Sequence, residues 1–234
     1  MEVGSISPKL ILRRGLLVVL GIQAAAVVSL MAVAKIRKVV RSRGVAPLPR
    51  VEPESFDVGE SSRAEVYVSG EALFDDMLAA IASATERILF ESYIVKGDDM
   101  GQRFKAALIA AAERGVAVYV IYDGFANIVV KRSFFKFPEP IRVLRFPVFP
   151  RTFAIFSPRA WGRDHRKILV VDDRIGFVGG YNVGSLYANQ WRDTHVCVFG
   201  SAVWDLENAF IDFWNGVCPD EQLRPLSAAT WDPH

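Results

Sequence analysis

Three side chains at fixed offsets stand out in the stretch Asp164–Gly184, DHRKILVVDDRIGFVGGYNVG: His165, Lys167 two residues on, and Asp172 five after that. Side chains alternate along a β-strand, so His165 and Lys167 share a face there and an imidazole and an ammonium converge on one ligand. Gly179-Gly180 then lets the backbone turn closely and brings Asn182 near the same place. An imidazole attacks phosphorus as a nucleophile, while a Lys ammonium and an Asn amide hold the non-bridging oxygens as negative charge builds. The set describes a phosphodiester site that needs no metal. Its plain alternative is a structural histidine on a strand. The two cysteines, Cys197 and Cys218, make no metal-ligand spacing. So few cysteines fit a reducing compartment, and no cofactor is expected.

The elements that must position these groups are legible from hydrophobic period. Leu73, Phe74, Met77, Leu78 and Ile81 form one helical face over Glu71–Ala84. A strand is expected at Arg87–Val95, a second helix at Met100–Arg114, and a buried parallel strand at Val116–Tyr122. Strand, helix and strand in this order imply a right-handed crossover and a sheet with helices on its faces, an α/β fold. Lys167–Val171 and Ile175–Val178 read as a hairpin around Asp172-Asp173-Arg174. Thr194–Phe199 is a further strand. Ser201 is the expected N-cap of a helix carrying Val203, Leu206, Phe210 and Phe213 inward.

The 234 residues are 51% hydrophobic, which excludes disorder and a disulfide miniprotein and fits one globular domain with an appendage. The formal net charge of +2 hides a split, because residues 1–50 carry nine Lys/Arg against Glu2 alone. Gly15–Ala34 is a run of twenty uncharged residues, about 30 Å long as a helix, and reads as one transmembrane span. A cleaved signal peptide is the alternative, with Ala32-Val33-Ala34 as a cleavage-like site. Lys35, Arg37, Lys38, Arg41 and Arg43 oppose translocation and favour a cytoplasmic body against a membrane. The expected organisation is therefore an anchor at 1–44, a linker at 45–62 and a catalytic domain at 63–234. Within that domain Val129–Val170 holds ten basic and two acidic residues among many Phe and Pro, which suits an anionic ligand or surface or a solvated, Phe-packed loop.

His-x-Lys-x4-Asp followed after six residues by Gly-Gly-x-Asn resembles the signature of the phospholipase D superfamily. The surrounding RDHRKILVVDDRIGFVGGYNVG is similar to the bacterial cardiolipin synthases, and the resemblance runs from about Ala64 to Trp214 through FESYIVKGDDMG, YDGF and WRDTHV. It implies half of a phospholipase-D-like α/β/α sandwich, a mixed sheet with helices on both faces. It also implies a two-step transfer in which one motif histidine forms a phosphohistidine and a second protonates the leaving alcohol. His165 takes one of these roles. Lys167, Asn182 and Gly180 bind phosphate, Asp172 completes the motif in a mainly structural or electrostatic role, and Asp193 hydrogen-bonds the catalytic imidazole. Glu91 lies near the end of a central strand, and His195 receives no motif role.

The family usually carries two copies of the motif and this chain has one, with the sequence read as stopping where a second half would begin. A homodimer or a separate partner half would supply the second histidine. The expected function is a membrane-anchored phosphatidyltransferase acting on a phosphatidylglycerol-like anionic phospholipid. The alternatives are a homodimeric phosphodiesterase or nuclease, and an inactive half that binds lipid or a two-motif enzyme. Nucleic acid is disfavoured because the basic segment has no Tyr and only Trp161 nearby for base stacking.

Overall fold

The computed structural model describes residues 17–33, 46–58, 61–149 and 162–226. It divides into two units, Met1–Ala46 and Pro47–His234. In the first, helix α1 (17–33) exposes apolar side chains such as Leu20, Ile22, Val28 and Leu30. Among the described residues no helix is long and apolar enough to cross a membrane. The span read from sequence, Gly15–Ala34, begins and ends outside them, and so does the basic cluster that follows.

The second unit runs β1 (Glu54–Val58), β2 (Ser62–Tyr67), α2 (Gly70–Ser83), β3 (Arg87–Ser92), α3 (Asp99–Glu113), β4 (Ala117–Asp123), β5 (Arg142–Phe146), β6 (Lys167–Val171), β7 (Ile175–Gly179), α4 (Ser185–Asn189), β8 (His195–Gly200) and α5 (Val203–Val217). One sheet holds all eight strands in the order β1-β2-β8-β7-β6-β3-β4-β5. β3, β4 and β5 are parallel and the remaining pairs antiparallel. Strand β3, RILFES, is buried at every position because both faces of the sheet are covered. Ile88 and Phe90 face α2 and α3 with Leu73, Phe74, Phe104 and Leu108. Leu89 faces α5 with Phe210, Ile211 and Trp214.

Two expectations change. The stretch read as a linker holds β1, a strand exposed along its whole length that shows no apolar period. The N-cap of α5 is Ala202, and the Ser201 hydroxyl instead meets those of Ser61 and Ser62 at 2.9 and 3.1 Å. The Phe- and Arg-rich segment is described only as far as residue 149 and again from 162.

This topology selects one edge of the sheet. β3 and β6 are antiparallel, so the carboxyl ends of β3, β4 and β5 lie beside the amino end of β6, with Ser92 opposite Lys167 and Ser92 opposite Tyr122. Carboxyl ends of parallel strands are where open α/β sheets hold ligands.

Candidate active site

His165 stands exposed just before β6, and Lys167 is the first residue of that strand. The Lys167 ammonium donates to the His165 carbonyl at 2.6 Å and lies 3.2 and 3.5 Å from Nδ1 and Nε2 of its ring. Tyr93, just beyond β3, packs against both: its ring centroid is 4.4 Å from that of His165 and 5.3 Å from Lys167 Nζ. Burial lowers the Lys167 pKa, while the charges of Asp193 and Asp164 pull it back up. An imidazole open to solvent beside a desolvated cation is suited to attack a phosphate whose charge the cation holds.

The row continues across the sheet. Extending the β6–β7 register by one residue sets Lys167 opposite Gly179, which pairs with His195, which pairs with Tyr67. A Cβ on Gly179 would meet His195 Cα at 2.5 Å and the Thr194 carbonyl at 2.6 Å, so only glycine allows β7 and β8 this close. His195 is 1% exposed, and among the described residues neither ring nitrogen has a hydrogen-bond partner. Burial pushes its pKa down to about 3, with Asp193 opposing and Lys167 adding to the shift, which leaves a neutral imidazole under the site.

Asp164 and Arg166 alternate onto the opposite face, toward α5. Arg166 Nε donates to Glu91 Oε1 at 2.8 Å, and Nη1 donates to the Ala209 carbonyl at 2.8 Å. Its guanidinium lies 4.2 Å from the Phe213 ring centroid. Burial pushes Glu91 up to about 9, assisted by the hydrogen bond and charge of Asp164 and opposed by Arg166. Glu91 therefore keeps its proton at neutral pH. The Asp164 amide donates to Asp123 Oδ2 at 3.3 Å, tying the residue before His165 to the end of β4.

Of the residues singled out in the sequence, the structure brings His165 and Lys167 into contact and sets Asn182 close by, with Oδ1 accepting from the Ile94 amide next to Tyr93 at 3.1 Å. Gly180 leaves room for the Asp193 carboxylate, whose Oδ1 lies 2.0 Å from where a Cβ would stand. Asp193 does not hydrogen-bond the His165 ring. Its partners are the Thr194 amide at 2.9 Å and Trp191 Nε1 at 3.4 Å, and it acts on Lys167 through charge. Asp172 lies outside the cluster, since the length of β6 separates it from Lys167 by roughly 17 Å at ~3.4 Å per residue. There it accepts from the amides of Thr85, Glu86 and Arg87 and is a structural anchor. Sequence reasoning missed Tyr93, whose only signal is its place two residues beyond Glu91 at the same strand end. Among the described residues no group of three His, Cys, Asp or Glu could hold a metal ion.

The architecture is shared with NucT from Helicobacter pylori, at a TM-score of 0.51 and 17% identity over 64% of this chain and 93% of that one. Phosphatidylserine synthase from Haemophilus influenzae matches at a TM-score of 0.50 and 17% identity, over 64% of this chain and 36% of its own. Residues 77–214 match the family described as cardiolipin synthase, PLD-like domain, which defines the class as a phospholipase-D-like domain. A cardiolipin synthase from Listeria innocua is 33% identical over 170 residues, 70% of this chain and 35% of that protein. One from Staphylococcus aureus is 36% identical over 160 residues, 64% of this chain and 32% of its own length. The chain thus belongs to the cardiolipin synthase family of the phospholipase D superfamily, and spans about a third of the length of the relatives it matches.

Proposed function

We propose that the chain is a membrane-anchored phosphatidyltransferase that moves a phosphatidyl group between alcohols, with a phosphatidylglycerol-like lipid as donor. The observation that carries this reading is the exposed His165 imidazole held beside the Lys167 ammonium at 3.2 Å. In the first step an imidazole nitrogen attacks phosphorus, the P–O bond to glycerol breaks, and a second imidazole protonates the departing alkoxide. In the second step an acceptor hydroxyl attacks, the N–P bond breaks, and its proton returns to that second imidazole. Lys167 holds the non-bridging oxygens as charge builds, and Asn182 and the Gly180 backbone complete the phosphate pocket. His165 supplies one of the two imidazoles. The other comes from a second copy of this chain or a partner half, because burial lowers the His195 pKa to about 3, so its ring carries no proton to give near neutral pH. Gly15–Ala34 serves as a single transmembrane span with the catalytic unit on the cytoplasmic side.

The test is turnover of phosphatidylglycerol in mixed micelles by the full chain and by His165→Ala, following cardiolipin, phosphatidic acid and glycerol. Cardiolipin formed by the first and reduced at least ~100-fold in the variant is the expected result, as befits loss of a nucleophile or its acid. Cleavage of single-stranded DNA without lipid turnover would overturn the reading.

A further inference from the structure

The loop that leaves β4, residues 124–131, keeps apolar side chains in water. Phe125, Ile128 and Val129 are 53%, 65% and 79% exposed. The loop is nonetheless tightly held. Asp123 Oδ1 accepts from the amides of Phe125 and Ala126 at 2.8 Å. Asn127 accepts from the Val95 amide at 2.9 Å and donates to the carbonyls of Tyr93 and Asp123 at 2.8 Å. An ordered tip that presents aliphatic side chains to solvent marks a partner surface.

The tip stands between two cationic clefts. One, of about 630 Å³, is lined by residues including Lys96, Lys131 and Val129. The other, of about 160 Å³, is lined by residues including Arg132, Arg145 and Ile128. Asn127 also ties the tip to Tyr93, the residue packed against the His165 ring, so loop and imidazole share one edge of the sheet.

We propose that residues 124–131 form a membrane-docking loop. Ile128 and Val129 enter the acyl boundary of a bilayer, the flanking clefts hold anionic phospholipid headgroups, and His165 is thereby presented to the lipid surface. The proposal rests on the reading of His165 as acting on a phospholipid. A nucleic acid fits less well, since the two most exposed tip residues, Ile128 and Val129, offer no face for base stacking and Arg163 already lies over the Phe125 ring. A second copy seated on this loop by two-fold symmetry would oppose Lys131 and Arg132 to their own equivalents.

The experiment uses the full chain with Cys218→Ser and Val129→Cys, labelled at residue 129 with a nitrobenzoxadiazole dye. Cys197, 1% exposed, is shielded from the reagent. In vesicles of phosphatidylglycerol and phosphatidylcholine the expected result is blue-shifted emission, quenching by acyl-chain doxyl lipid and protection from aqueous iodide. Lys131→Glu with Arg132→Glu should restore about half or more of the iodide quenching, as loss of headgroup attraction requires. The loop assignment is overturned by equal iodide quenching in phosphatidylcholine and phosphatidylglycerol vesicles. It is equally overturned by protection that follows protein concentration at fixed lipid, or that a single-stranded oligonucleotide produces and vesicles do not. Turnover of phosphatidylglycerol in the same vesicles keeps the two readings apart. Docking without turnover, even after a partner half carrying its own motif is added, supports the loop and removes the catalytic reading, and turnover with residue 129 in water removes the loop alone.

Discussion

The Asp172 carboxylate accepts five hydrogen bonds, from the amides of Thr85, Glu86 and Arg87 and the Thr85 hydroxyl, each at 2.7 or 2.8 Å, and from the exposed Arg174 guanidinium at 2.9 Å. Burial alone would raise its pKa, but these donors win and hold it at about 2. The sign follows from linkage: a depressed carboxyl stabilises the fold above its unfolded value and loses that contribution as pH falls toward 2. Asp172→Ala is expected to cost about 3 kcal/mol near neutral pH, since it strands buried amide donors. Urea midpoints of the two proteins should converge in acid. Glu91 has the opposite sign. Its pKa, raised from 4.5 to about 9, means that the folded state holds a proton the unfolded chain has released, so stability declines as pH rises through that window. Glu91→Gln, neutral at every pH and still able to accept from Arg166, should lose that decline, and melting temperatures compared at about pH 5 and about pH 9 would register it.

Two glycines show how a helix can be limited by its neighbours rather than by its own propensity. Replacing glycine by alanine inside a helix gains up to about 1 kcal/mol when nothing intervenes. At Gly216 in α5 nothing lies within 4 Å of an added Cβ, so Gly216→Ala should raise stability by about that amount. At Gly101 in α3 the Cβ would stand 1.7 Å from the Lys96 carbonyl oxygen, a backbone atom that cannot step aside. Gly101→Ala is therefore expected to lower stability by about 2 kcal/mol or more despite better propensity, with thermal denaturation separating the two signs. The same contrast explains what the sequence made legible. Helices α2, α3 and α5 and strands β3, β4, β6 and β7 bury whole faces, and their apolar periods announce them. Strand β1 is exposed at all five positions and β5 buries only Leu144, so neither carries a pattern to read. His165 and Lys167 were legible because alternation along one strand brings them together. The Tyr93 contact and the buried Glu91–Arg166 pair depend on β3 lying beside β6, a pairing across some 75 residues of chain that no local spacing encodes.

For the molecule as a whole, the proposed transfer between two alcohols calls for one group to carry phosphorus and a second to move a proton, both imidazoles in the proposed mechanism. Of the chain's three histidines only His165 and His195 lie among the described residues, and His195 is buried and neutral. If two copies of His165 build one site, a two-fold axis must pass near it. Detergent-solubilised protein should then have twice the monomer mass of 26.0 kDa once bound detergent is subtracted. A sharper readout is the activity of mixed assemblies. When full-length chain and His165→Ala are unfolded together in equal amounts and refolded into micelles, a shared site is intact only where both copies carry His165. Activity should therefore fall to about a quarter of the unmixed value, whereas independent sites would keep about a half. Adding a separate partner half that carries its own motif would restore proportionality to the fraction of His165. A monomeric chain with full turnover would show that the second proton carrier lies within this sequence.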